Sequence, residues 1–378
     1  MLSRVACHTV APIRCDKNPK SLSSMGAPVS LMPGPTHTTT RLLSAADVIR
    51  CLNMDEAIAA VEDAFLSYQK GEAQMPPKSY IDIPEFNGDF RSMPARVGGA
   101  ASVKWVNVHA DNPGKHGMPT VLATLILGDP ATGFPLAVMD ATLLTAYRTA
   151  AAAAVATKYL AREDAKTLGV IGAGGQSAYQ IAAITRVRNF TEVVISDARP
   201  EAAKALAERV ARHNPKFKVR VGTVQEAAGC DVLTTVTPVH KPIVQREWVK
   251  PGTHINAIGA DAPGKEELDP AILWGATIIL DDWEQATHSG EVNVPLHDGM
   301  LKREQIRGTI GALIAGAIKG RGSREEITIF DSTGLAIQDA AVARLVYAQA
   351  VKQNLGTEFR FAPVGDMKVP DVLDELRA

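Results

Sequence analysis

From about Leu43 onward, hydrophobic positions recur with two different periods. Ile58, Val61, Phe65 and Tyr68 are spaced as one face of a helix, and Gly71 stops the run. Ser44 with Asp47, and Asn53 with Glu56, carry the spacing of helix-opening capping boxes. Between Met75 and Pro135 the pattern shortens to β-like runs, Lys78–Ile83, Ala101–Val108 and Thr120–Leu127, separated by Pro and Gly. An alanine-rich helix is expected from about Ala141 to Ala161. Residues 166–282 then alternate strand and helix. The strands are expected at Thr167–Ile171, Glu192–Ser196, Asp231–Val236, His254–Ile258 and Thr277–Leu280, with Ile327–Phe330 a candidate sixth. Such alternation predicts a parallel sheet covered by helices.

The first forty residues lack any apolar period. They hold a single acid, Asp16, against Arg4, Arg14, Lys17 and Lys20, and are rich in Ser, Thr and Pro. Little fixed structure is expected there, so residues 1–40 read as a disordered tail. The composition resembles a transit peptide, and it fits equally well an untargeted tail with Met25 as the working start. Over the whole chain 40 Lys+Arg balance 41 Asp+Glu, which gives no basic surplus of the kind nucleic-acid binders carry. The longest purely apolar runs, such as Ala150–Ala156, are far shorter than the roughly 20 residues of a membrane span. The four cysteines, Cys7, Cys15, Cys51 and Cys230, show no C-x-x-C spacing and read as reduced thiols of a cytoplasmic protein.

Chemistry enters at Gly172-Ala-Gly174-Gly175-Gln176-Ser177, which follows the first strand of the alternating region. Gly172 permits a tight turn, Gly174 lets a backbone approach a pyrophosphate, and the small Ser177 stands where a third glycine is usual. The helix N-terminus that follows offers free N–H groups to phosphates. Asp197 ends the next strand, 25 residues after Gly172, where it would accept hydrogen bonds from a ribose 2′-hydroxyl and repel a 2′-phosphate. NAD is therefore expected as cofactor over NADP, with Arg199 as the nearby residue that could accommodate a phosphate.

Hydride transfer to an amino or imino acid also needs cations for a carboxylate and a proton donor and acceptor near the strand ends. Lys78, Arg91, Lys104, Arg148 and Asp261 are the candidates. Taken singly, each Lys or Arg reads first as a surface charge. Lys104 is harder to dismiss, because Ala100, Ala101, Val103, Trp105 and Val106 surround it with apolar sequence. His109, His116 and His288 lack metal-ligand spacing, no metal is expected, and Asp281-Asp282 reads as a solvated strand end.

Several segments, in order, resemble the ornithine cyclodeaminase/mu-crystallin family, and within it the archaeal-type alanine dehydrogenase branch. They are Arg91-Ser-Met-Pro-Ala, Lys104-Trp-Val-Asn, Gly133-Phe-Pro-Leu-Ala-Val-Met-Asp140, Ile255-Asn-Ala-Ile-Gly-Ala-Asp261, and the stretch 326–339. The resemblance covers about Arg41 to Phe361. It implies an α/β fold: a Rossmann-type doubly wound parallel sheet plus a discontinuous α+β substrate and dimerisation domain. The expected division is a substrate domain at 41–148, the NAD-binding domain at 149–325, and a returning segment at 326–378. It implies Lys104 and Asp261 as catalytic residues, with Lys78, Arg91, Lys104, Arg148 and Thr333 binding substrate. Cofactor contacts would fall on Thr120, Arg148, Gly172, Gly174, Gly175, Gln176, Asp197, Thr237, Ile258, Gly259, Ala260, Asp261, Lys265 and Ser332. A homodimer acting on a small amino or keto acid, with no nucleic-acid or membrane partner, is the implied assembly.

Cyclodeaminases of the family place a glutamate where Arg91 stands, and that carboxylate handles the distal amine of ornithine. Like charges about 4 Å apart at an effective dielectric of about 20 cost about 4 kcal/mol, so Arg91 points to a substrate without a second amine. The expected reaction is reversible oxidative deamination of L-alanine to pyruvate and ammonia, with Asp261 and Lys104 managing protons and Lys104 depressed by its cationic neighbours. The alternatives are a Δ1-pyrroline-2-carboxylate reductase, an ornithine cyclodeaminase, and a crystallin-like binder without turnover.

Overall fold

The computed structural model describes residues 37–364, so the expectations for residues 1–36, including Cys7, Cys15 and Met25, lie outside the described residues. The first sheet is built from β1 (Thr40–Leu43), β2 (Ser79–Ile83), β3 (Gly88–Val97), β4 (Ala100–His109), β5 (Val121–Gly128) and β6 (Pro135–Asp140). The second holds β7 (Thr167–Ile171), β8 (Glu192–Ser196), β9 (Lys218–Val221), β10 (Val232–Thr235), β11 (His254–Ala257), β12 (Thr277–Leu280), β13 (Ile306–Thr309) and β14 (Thr328–Asp331). A last strand, β15 (Thr357–Phe359), returns to the first sheet.

The first sheet runs β15-β1-β6-β5-β4-β3-β2 and is antiparallel apart from the β1–β6 pair. Its inner face packs on the helices Met54–Gln69, Thr142–Leu160 and Ala336–Gln353, where Phe65, Leu125, Leu127, Leu144 and Val346 are buried. Ser44 and Asp47 form the expected reciprocal capping box. Asn53 caps from one side only, its Oδ1 accepting from Asp55 and Glu56 N–H. Lys104, on β4, points to this inner face and is fully buried.

The second sheet runs β13-β12-β14-β11-β10-β7-β8-β9 with every pairing parallel. Its central strands are buried on both faces, as continuous apolar runs such as Leu168–Ile171 and Thr277–Leu280 require. The chain enters this sheet through the helix Thr142–Leu160 and leaves through the helix Ala336–Gln353. Strand β14 pairs with β11 and β12, so the chain leaves the second sheet only after Asp331 and the expected boundary at 325/326 falls too early. Successive strands from β7 build outward through β8 and β9, and β10 then starts on the other side of β7. The reversal makes the carboxyl ends of β7 and β10 the topological switch point, outside which open α/β sheets bind their ligands. No helix among the described residues is long and apolar enough to cross a membrane.

Candidate active site

Residues expected at the cofactor cleft gather at the carboxyl ends of the parallel strands. Gly172 follows β7 with φ 104, and a Cβ there would lie 2.9 Å from Val236 O and 3.1 Å from Thr237 Cγ2. Only glycine fits that turn. Gly174 and Gly175 are exposed, and a Cβ at either would meet nothing within 4 Å. Their lack of side chains is thus unexplained by packing and leaves the loop open to an approaching ligand. Ser177 turns its hydroxyl back to Gly172 O at 2.7 Å, which locks the turn to the helix Ser177–Val187. Gln176 Oε1 is buried without a hydrogen-bond partner among the described residues. Asp197 accepts from Ala173 N–H at 2.7 Å and from Arg199 N–H at 2.7 Å, with the Arg199 guanidinium 3.5 Å away. Ile258, Gly259, Ala260 and Asp261 follow β11, and Ser332 follows β14, its N–H on Ala257 O. Arg148 lies instead on the helix Thr142–Leu160, and Thr120 stands apart. It precedes β5 on the first sheet, its carbonyl held by His109 N–H, three residues along the strand from the Arg91–Val106–Ala123 row.

The cations gather as well. Lys104 Nζ donates to Asp339 Oδ1 at 2.8 Å and to Thr145 Oγ1 at 3.2 Å, and Arg148 Nε donates to the same Asp339 oxygen at 2.9 Å. Arg148 Nη1 reaches Gln338 Oε1. Lys78 Nζ donates to Thr333 O at 2.6 Å, and Gly334, next in the chain, lies against the Arg148 guanidinium. Arg91, stacked 5.4 Å over Tyr80, grips Asp89 through Nε and Nη2 at 2.8 and 2.9 Å and meets Asp261 Oδ2 through Nη1 at 3.0 Å. Lys265 holds the other Asp261 oxygen at 2.7 Å.

These pairings set the charges. Burial, with Arg148 beside it, pulls Lys104 down to about 7. Burial and then Arg91 bring Lys78 to about 8. Burial resists the charge on Asp261, but Arg91 and Lys265 hold its carboxyl well below the usual range, so it is a carboxylate at neutral pH. The downward direction expected for Lys104 holds, with burial ahead of its cationic neighbours as the cause.

Two sequence expectations need correction. Arg91 is not a bare cation, because Asp89 and Asp261 neutralise it; the full repulsion of a distal amine calculated for an isolated pair does not apply. Asp281 is no solvated strand end. It is 2% exposed, accepts from Thr333 and Gly334 N–H at 2.6 and 2.9 Å, and is pushed up to about 6 by burial, while Asp282 caps the helix Trp283–Ser289.

Sequence reasoning missed Asp339, Asp89 and Gln338. Asp339 carried the signal used for Lys104: a charge inside the apolar run Ala336, Ile337, Ala340, Ala341, Val342.

A parallel sheet with a glycine turn at its switch point and an acid ending the next strand defines a dinucleotide-fold protein. The chain belongs to the ornithine cyclodeaminase/mu-crystallin family, whose sequence profile matches residues 38–354. It is 51% identical over 322 residues to an alanine dehydrogenase of Archaeoglobus fulgidus, covering 85% of this chain and 98% of that one. Among solved structures, an archaeal alanine dehydrogenase dimer with bound NAD superposes with a TM-score of 0.83 at 51% identity, over 86% of this chain and all of that one. The Thermococcus litoralis Δ1-pyrroline-2-carboxylate reductase, in complex with NADH and L-proline, gives 0.82 at 36% identity, over 84% and 99%.

Proposed function

We propose that the protein is an NAD-dependent amino acid dehydrogenase that interconverts L-alanine with pyruvate and ammonia. The observation that carries this reading is the buried cluster of Lys104, Asp339, Arg148 and Lys78, with the Asp261 carboxylate also paired to Arg91. The similarity to archaeal alanine dehydrogenase supports it.

The glycine turn, Gln176, Asp197, Thr237, the 258–261 segment, Lys265 and Ser332 would hold NAD. When bound, its nicotinamide supplies the acceptor for the hydride on the substrate Cα. Lys78 and Arg148 bind the α-carboxylate. Among the described residues Arg148 Nη2 has no hydrogen-bond partner and Lys78 spends only one of its three hydrogens, on Thr333 O. Lys104, near 7, takes a proton as the neutral amine and returns it as the ammonium, the range a general acid/base needs. It serves the substrate nitrogen and then the water that adds to the imine as ammonia leaves. Asp261, already ionised, accepts hydrogen bonds rather than donating a proton. The homodimer belongs to the same reading, with Trp105 and Ile126 exposed on the outer face of the first sheet as its candidate interface; sedimentation at the chain mass alone would rule it out.

Steady-state kinetics with L-alanine, L-ornithine, L-proline, pyruvate plus ammonia and Δ1-pyrroline-2-carboxylate, each with both cofactors, test the reading. L-alanine with NAD, and pyruvate only when ammonia is present, are the expected substrates. Turnover of the cyclic imine without ammonia would instead favour the reductase.

Gly174→Ala separates the cofactor role of the turn from its folding. The new methyl meets nothing within 4 Å, so the melting temperature should stay unchanged. NADH affinity should fall by roughly tenfold, because the backbone no longer reaches the pyrophosphate. Unaltered affinity would remove Gly174 from the cleft.

A further inference from the structure

Four buried carboxylates at the ends of the parallel strands take no part in the proposed chemistry: Glu267, Glu291, Asp281 and Asp331. Each accepts backbone N–H groups from a loop distant in sequence. Glu267 is the one that reaches the cofactor side. Its Oε1 accepts from Thr237 N–H at 2.7 Å and Thr237 Oγ1 at 2.6 Å, and its Oε2 accepts from Gly259 N–H at 2.9 Å. Thr237 lies two residues past β10 and Gly259 two residues past β11. One side chain therefore ties together the backbone at two neighbouring strand ends.

The local fold is shaped to admit it. A Cβ on Gly259 would fall 2.2 Å from Thr237 O and 2.6 Å from the Glu267 carboxyl carbon and Oε2, so glycine at this position lets both the Thr237 backbone and the carboxylate come close. Thr237 Cγ2 in turn closes over Gly172, the hinge of the glycine turn. The Glu267 backbone is itself fixed, its N–H donated to Glu291 and its carbonyl accepting from Ile243 and Val244. Burying a carboxylate whose hydrogen bonds all come from uncharged donors is costly, and burial pushes it upward accordingly. That cost falls where Gly172, Thr237 and Gly259 meet.

We propose that Glu267 is the positioning residue of the cofactor cleft: its carboxylate sets the spacing between the Thr237 and Gly259 loops, and so presents both to the dinucleotide. This rests on the reading of the crevice as an NAD site. The neutral, isosteric Glu267→Gln can keep its carbonyl oxygen on Thr237, but its amide N–H then faces Gly259 N–H, donor against donor. Glu267→Asp keeps the charge and is one methylene too short to span both loops.

NADH binding followed by fluorescence titration, with melting curves on the same samples, tests this on the intact protein. Both variants are expected to remain folded at the assay temperature, and their dissociation constants for NADH should rise at least tenfold. The KM for NAD should rise with them while the KM for the amino acid stays near that of the wild type. A purely structural role would lower the melting temperature and leave the affinity of the folded protein unchanged. If either variant is folded and binds NADH within twofold of the wild type, the inference fails. If the wild type binds no NADH, the cofactor reading fails and this inference with it.

Discussion

Lys104→Met is expected to lower turnover of L-alanine by roughly 10²–10⁴-fold, the range typical of removing a general acid/base. Methionine is unbranched and apolar, so it fills the fully buried site without a charge. Asp339 keeps Arg148 as a partner in the variant, so its carboxylate is not stranded. NADH affinity, read separately, should be unaffected, because the cofactor loops follow other strands. Near-normal turnover in a folded Lys104→Met protein would remove Lys104 from the chemistry.

Asp339→Asn should carry the largest stability penalty. One carboxylate oxygen serves both Lys104 and Arg148, and all three side chains are buried. Taking away the shared counter-charge leaves buried Arg148 without its ion-pair partner at every pH, and Lys104 without its own wherever it is protonated. Breaking such a pair costs about 3–5 kcal/mol, on the order of 5–10 °C in melting temperature for a chain of this size. The sign of its pH dependence follows from Lys104. At pH 6, below its value of about 7, Lys104 is charged in the wild type and the lost carboxylate is felt twice. At pH 9 Lys104 is neutral in both proteins, and only the Arg148 pair is lost. The melting-temperature difference should therefore shrink from pH 6 to pH 9; a constant difference would mean that Lys104 does not titrate in this range.

The parts of the fold that were legible in sequence are those whose pattern is local. Strands β7, β8, β10, β11, β12 and β14 are continuous apolar runs because both faces are covered, and each was expected within a residue or two. The glycine turn was legible because backbone geometry at Gly172 dictates the residue. Strand β3 is hidden in the sequence: Gly88, Asp89, Pro94 and Arg96 disguise a ten-residue strand whose buried positions are Arg91, Met93, Ala95 and Val97. Strands β1, β9, β13 and β15 are nearly the same length as β10, β11, β12 and β14, but all four lie at or next to a sheet edge, and Arg41, Lys218 with Arg220, Arg307 and Glu358 break up their apolar residues, so no continuous run marks them.

The site divides the same way. Lys104 stood out because a charge interrupted an apolar run. Glu267 and Asp281 did not, because a carboxylate in a loop or just past a strand looks solvated when its partners lie elsewhere in the chain. Asp281 is satisfied by N–H groups more than fifty residues on, and Glu267 by Thr237 thirty residues back. Arg91 was visible as a cation, and its neutralisation by Asp89 and Asp261 was not, since one partner is two residues away and the other 170.

The pH profile of kcat/KM for NAD-dependent oxidation of L-alanine, measured in the wild type and in Lys104→Met, tests the central claim most directly. The wild type should lose activity as pH falls through about 7, where Lys104 takes on a proton and can no longer act as base. The residual activity of Lys104→Met should lack that limb. A wild-type profile flat across neutral pH, or a limb that survives in the variant, would contradict the assignment of Lys104 as the acid–base group.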